Sequence, residues 1–157
     1  MAVSRGKQFE LKFREDFSKI PGSVVIRLPD QVSGYRCTSA NVCDFYCYVK
    51  PTLFFVEVKS TSGNTYNFSD LRQYPLLSQY NDIPGLRRGV VIWFTEKDRV
   101  VYAPITTITK MMQDGKKSIN IRTIDTEEYD VVNIPSVKKR VFMDSDYSCL
   151  LDLPENW

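Results

Sequence analysis

Two strand-like runs, residues 42–49 and 53–59, are separated only by Lys50-Pro51-Thr52. So short a connection leaves no room for a crossover, and the pair is predicted to form an antiparallel hairpin. The second run reads Leu53-Phe54-Phe55-Val56-Glu57-Val58-Lys59, a continuous apolar stretch that suddenly admits one acid and one base. Side chains alternate along a strand, so Glu57 and Lys59 point to one face and Val58 to the other.

The rest of the chain arranges itself around this hairpin. Phe9, Phe13 and Phe17 recur every four residues, followed by Ile20, which predicts an amphipathic helix from Lys7 that ends at Pro21-Gly22. Glu10 lies about 100° round from Phe9, at the edge of the apolar stripe. A short strand is expected over 24–28 and a polar stretch over 29–41. Residues 60–67 read as a polar loop, and Ser69 as a cap for a helix from Asp70 that Pro75 breaks or restarts. Residues 89–94 form a buried strand with 99–103 as its partner. A helix over 105–112 ends at Asp114-Gly115, and strand-like pieces fall at 119–122 and 131–134. Helix, strand, hairpin, helix, strand describes a mixed β-sheet flanked by helices, an α/β or α+β architecture. The 157 residues contain no repeat and no Pro/Gly/Ser linker, so one domain is expected over 1–157.

Composition removes whole classes of chemistry. There is no histidine, which excludes Ser-His-Asp and Cys-His catalysis and every His-based zinc hydrolase. Of Cys37, Cys43, Cys47 and Cys149, only Cys43 and Cys47 are close in sequence; buried or half-buried thiols fit this spacing better than structural zinc. No apolar run is long enough to span a membrane, and the polar start lacks the apolar centre of a signal peptide. A cytoplasmic protein with no membrane partner is the expectation. The net charge is only +2, yet basic residues cluster at Arg5, Lys7, Lys12 and Arg14, at Arg87 and Arg88, at Lys116 and Lys117, and over 138–140. Such clusters suit phosphate contacts, and any one of them also fits a solvated surface.

Hairpin pairing brings Asp44, between Cys43 and Phe45, close to Glu57 across the strands. Two carboxylates and one ammonium then share a small patch. Mg²⁺ needs only one or two carboxylates because it keeps several waters. It acidifies bound water and neutralises charge on phosphoryl oxygens, and an adjacent lysine stabilises the developing negative charge. Without histidine this is the economical route to phosphodiester hydrolysis. Glu-x-Lys alone on a strand also fits a solvated pair, and Asp44 alone fits a strand-end residue holding backbone groups.

Three segments carry a resemblance: Gly6-Lys7-Gln8-Phe9-Glu10, Cys43-Asp44-Phe45 and Val56-Glu57-Val58-Lys59-Ser60-Thr61. Together they resemble the PD-(D/E)XK nuclease superfamily and are most similar to RecU-type Holliday-junction resolvases and their small phage relatives. The likeness runs on through Phe68-x-x-Leu71-x-Gln73 and the 89–94 strand to Pro104-Ile105. It implies that Asp44 and Glu57 are the main Mg²⁺ ligands, with Mn²⁺ as a substitute and the Val58 carbonyl completing the set. Glu10 would assist the metal from the first helix, and Lys59 would be the catalytic lysine. Ser60 or Thr61 would touch DNA phosphate, with Lys7, Arg72, Arg87 and Arg88 as further DNA contacts. A glutamine on the following helix would line the site, with Gln73 favoured and Gln79 competing.

Two departures from the family pattern stand out. The 29–42 segment is too short for the long stalk of RecU-type resolvases, and the N-terminal signature is only partly matched. The resemblance therefore implies a metal-dependent DNA endonuclease of recombination or repair in a bacterial cell or phage-infected host. Four-way junction, flap and duplex DNA all stay open as substrates. Symmetric cutting of two strands implies a homodimer. The alternatives are a catalytically silent DNA-binding or assembly protein that keeps the fold, and a protein-interaction domain with surface acids. Tyr46, Tyr48, Tyr66, Tyr74 and Tyr80 suit core packing or base stacking, and Trp157 suits docking onto a partner subunit.

Overall fold

Ser4 starts the first helix: its hydroxyl accepts from the backbone N–H of Lys7 at 3.4 Å, capping α1 (Arg5–Phe17). The helix buries Phe9, Phe13 and Phe17, each worth roughly 1.5–3 kcal/mol of apolar transfer. It ends before Pro21 and Gly22, and Gly22 turns the chain at φ 74°. The computed structural model describes residues 4–29 and 40–157. Residues 30–39, which include Cys37 and most of the segment too short for a stalk, lie outside the described residues.

Next come β1 (Val24–Arg27), β2 (Phe45–Val49), β3 (Thr52–Thr61) and β4 (Thr65–Asn67). A 3₁₀ turn (Phe68–Asp70) leads to α2 (Tyr74–Leu77), then β5 (Leu86–Phe94), β6 (Arg99–Pro104), α3 (Ile105–Gln113) and β7 (Ser118–Asn120). The chain finishes with α4 (Ile121–Asp125), β8 (Val132–Asn133), β9 (Ser136–Lys138), β10 (Met143–Ser145) and a 3₁₀ segment (Tyr147–Asp152). The main sheet has six strands in the order β1-β2-β3-β5-β6-β8. The expected hairpin is β2–β3, antiparallel with Phe45 opposite Val56, while β3 and β5 run parallel at the sheet centre.

Strand alternation divides the core in two. On one face α1 and the last 3₁₀ segment cover Phe45, Cys47, Phe54, Val56, Val58, Val91 and Trp93. On the other, α3, β4 and α2 cover Val90, Ile92, Phe94 and Val101. Gly89 lies under the ring of Tyr102, which occupies the space a Cβ would need. The mixed sheet with helices on both faces is the architecture expected from the sequence.

Three local expectations are corrected. Residues 60–67 are not one loop: β3 continues to Thr61 because β5 pairs with it as far as Phe94. Tyr66 and Ile119, both buried, then bring β4 and β7 together. Ser69 caps no helix; it sits in a 3₁₀ turn, and α2 starts afresh with Pro75 in its first turn, where no N–H is needed. The strand expected at 119–122 ends at Asn120, whose side chain accepts from the Thr123 N–H at 2.9 Å and opens α4.

Candidate active site

The register places the chemistry. β2 stops at Phe45 opposite Val56, so Asp44, one residue earlier, lies at the open end of the hairpin beside Glu57. Its Oδ2 accepts from the Val58 N–H at 2.9 Å, taking the place a strand carbonyl would have. N–H and C=O of one strand residue point to the same side, so the Val58 carbonyl also faces Asp44. Glu57 is fully buried and Asp44 half-buried. Lys59, two residues on and on the same face, brings Nζ within 2.7 Å of Glu57 Oε1. Neither Glu57 oxygen has a well-directed hydrogen-bond donor among the described residues.

This arrangement changes the acidities. Burial first, then the Asp44 charge, pushes Glu57 up to about 7, with Lys59 pulling the other way. Burial also raises Asp44, against the Val58 N–H and the charges of Lys59 and Arg27. Burial and the neighbouring Asp44 charge together favour the protonated form of Glu57. A divalent cation would take the place of that proton. The donors fit a hard cation: one oxygen of Glu57 with no partner, the second oxygen of Asp44, and a backbone carbonyl. Among the described residues no third acid, histidine or cysteine joins them.

Glu10, expected to assist from the first helix, has a salt-bridge partner of its own. Arg27 Nη2 and Nε hold its Oε2 at 2.8 and 3.2 Å, and among the described residues it does not form a three-acid cluster with Asp44 and Glu57. Arg27 is the residue that sequence reasoning missed here. It ends β1 directly opposite Phe45, and its charge reaches Asp44. Only the β1–β2 register reveals this.

Arg87 and Arg88, expected as DNA contacts, both have partners within the protein. Arg88 is buried and donates to the Leu77 carbonyl at 2.7 Å, while Arg87 donates to the carbonyls of Leu153 and Pro154. Both start β5, level with Phe54 and Phe55, and thus lie toward the end of the sheet away from Lys59.

The remaining residues are placed as follows. Ser60 lies beside Gly6 at the start of α1, where a Cβ on Gly6 would come within 3.9 Å of its hydroxyl, and the exposed Lys7 follows. The Thr61 hydroxyl donates to the Thr65 carbonyl at 3.1 Å. Arg72 is exposed just before α2. Gln73 is half-buried with its Oε1 unpartnered, whereas Gln79 is exposed. Cys43 and Cys47 are buried free thiols on opposite faces of the sheet, and Cys149 is half-buried.

Comparison with known proteins agrees with this fold. Among curated proteins no sequence matches significantly. A solved structure, Hjc, a Holliday junction resolvase from the archaeal hyperthermophile Archaeoglobus fulgidus, is similar with a TM-score of 0.54. It is 18% identical, covering 77% of this chain and 93% of that one, a likeness that carries the fold. The profile of the family described as Recombination protein U matches residues 24–141. That span contains Asp44, Glu57 and Lys59 and leaves out α1 with Glu10. With most of its length matched and its sheet built on the same plan, the chain belongs to the Recombination protein U (RecU) family.

Proposed function

We propose that this protein is a metal-dependent DNA endonuclease that resolves four-way junctions. The observation that carries the reading is the half-buried Asp44 set beside the fully buried Glu57, with Lys59 at 2.7 Å from the latter. A structural role does not account for an acid buried without well-directed donors in the middle of a strand. Family membership and the resolvase-like fold support the choice of DNA as substrate.

Asp44, Glu57 and the Val58 carbonyl would hold Mg²⁺, or Mn²⁺ in its place, which supplies Lewis acidity toward a phosphate and a more acidic water. Lys59 presents a fixed ammonium to the phosphate as negative charge builds on it. The Lys59 side chain is 27% exposed even while paired with Glu57, open enough to meet a phosphate oxygen. Beyond β4, Lys116 and Lys117 rim a groove of about 500 Å³ over Phe68 and Met112, suited to the DNA backbone.

Resolution needs two cuts, hence two copies. The active-site face of β1 and β2 is bare among the described residues. Val24 is 50% exposed, Ile26 52% and Tyr48 42%, and Tyr46 and Phe55 beside them stack at 4.8 Å. This apolar surface supports a homodimer.

The test is cleavage of labelled four-way junction, flap, duplex and single-stranded DNA with Mg²⁺, with Mn²⁺ and with chelator. Junction-selective cutting that chelation or Glu57→Gln abolishes is expected. Tight junction binding with no cutting under any metal would instead establish a silent binding protein. Equal cutting of all duplexes would remove the junction preference.

A further inference from the structure

Tyr66 is the central residue of β4, 4% exposed, and its hydroxyl is buried with no hydrogen-bond partner among the described residues. It packs with Cys43, Phe68, Leu71 and Ile92 on the Glu57 side of the sheet. Phenylalanine would fill that space equally well, so packing gives no reason for the hydroxyl, and leaving it unmatched is unfavourable. The other orphaned ring donors with such burial, Tyr102, Tyr147 and Trp93, belong to the opposite core beneath α1.

The surroundings of Tyr66 are acidic. Burial and then the charges of Asp70, Glu57 and Asp44 raise its phenol, so it keeps its proton and remains a donor. Among the described residues, its unmatched hydroxyl and the unmatched oxygens of Glu57 are thus both buried on the same side of the sheet. A water between them would satisfy both, as buried waters do for polar groups left unpaired.

We propose that Tyr66 is a positioning residue whose hydroxyl hydrogen-bonds the hydration shell of the divalent cation held by Asp44 and Glu57. The inference rests on the reading of those carboxylates as a cation site. Partners one layer out from the ligands set ligand orientation and hence affinity. The position is legible in the sequence only after the β4–β7 register is known, because Tyr66 falls in a stretch that reads as loop.

The experiment is calorimetric titration of Mn²⁺ into the metal-free wild type, Tyr66→Phe and Asp44→Ala, with a metal-free thermal melt of each. Tyr66→Phe is expected to melt at or above the wild-type temperature and to bind Mn²⁺ about tenfold more weakly. Asp44→Ala marks the site by losing binding. Wild-type protein that binds no cation would overturn the metal reading itself, and the role of Tyr66 with it. Wild-type affinity retained in Tyr66→Phe, while Asp44→Ala has lost it, would overturn Tyr66 alone. A Tyr66→Phe protein that melts lower with unchanged affinity would assign the hydroxyl to a structural pairing with Asp70, overturning the proposal in another way.

Discussion

Glu57 and Lys59 illustrate how far a single residue can be read from sequence. The apolar run into which they intrude, and the alternation that puts them on one face, were legible because strand geometry is local. Lys59→Ala should leave a folded protein and slow single-turnover junction cleavage by roughly 10²–10³, the usual effect of losing one fixed transition-state donor. A variant retaining wild-type rate would make Lys59 a surface residue. Glu57 also predicts a pH dependence. Its carboxyl, ordinarily near 4.5, rises to about 7 on folding, so the folded protein holds a proton that the unfolded chain has released. Its stabilising contribution is therefore present below pH 4.5 and is lost as pH rises toward about 7. Asp144 and Asp146 are held below their ordinary 3.8, and their contribution fades only as pH falls below that value. Metal-free melts between pH 4.5 and 7 should show stability decreasing in the wild type relative to Glu57→Gln. Parallel curves for the two proteins would sink the assignment. Arg27 and Arg88 show what stays illegible: a partner seventeen residues back in one case, and a burial set by α2 in the other. Both depend on tertiary register.

At the scale of elements, the hairpin, α1, β5–β6 and α3 all carry strong periodicity or runs of β-formers, and each formed where expected. The short pieces did not declare themselves, because β4 and β7 are each only three residues long and are held by one buried pair, Tyr66 and Ile119. Asn120 also carries no signal of whether it extends a strand or caps a helix until its side chain meets Thr123. The β5–β6 pair makes its own prediction. The ring of Tyr102 lies where any side chain on Gly89 would project, in a sheet centre covered on both faces. Gly89→Ala should cost about 1–3 kcal/mol, the scale of overpacking in a tight core. Urea unfolding should show a lower midpoint with an unchanged slope. An unchanged midpoint would mean that Tyr102 swings aside without strain.

Among the described residues, the molecule is a sheet covered on one face and bare at the β1–β2 corner of the other. Ile26→Asp, at a site 52% exposed in the single chain, should keep the fold by circular dichroism and convert a dimer to monomer in analytical ultracentrifugation. Monomeric wild-type protein at all concentrations would remove the second copy from that surface. A final consequence concerns the order in which the chain is made. Asp44 and the Val58 N–H meet within one hairpin, fourteen residues apart, so a ribosome that has delivered β3 has already made both carboxylates of the pair. Local contacts of this kind form early, whereas the parallel neighbour β5 must wait for the intervening α2 segment to emerge. Until β5 and α3 arrive, Glu57 faces water and behaves as an ordinary acid. The nascent chain thus carries both carboxylates before either is enclosed, and Glu57 becomes a buried acid only after β5 and α3 have been made.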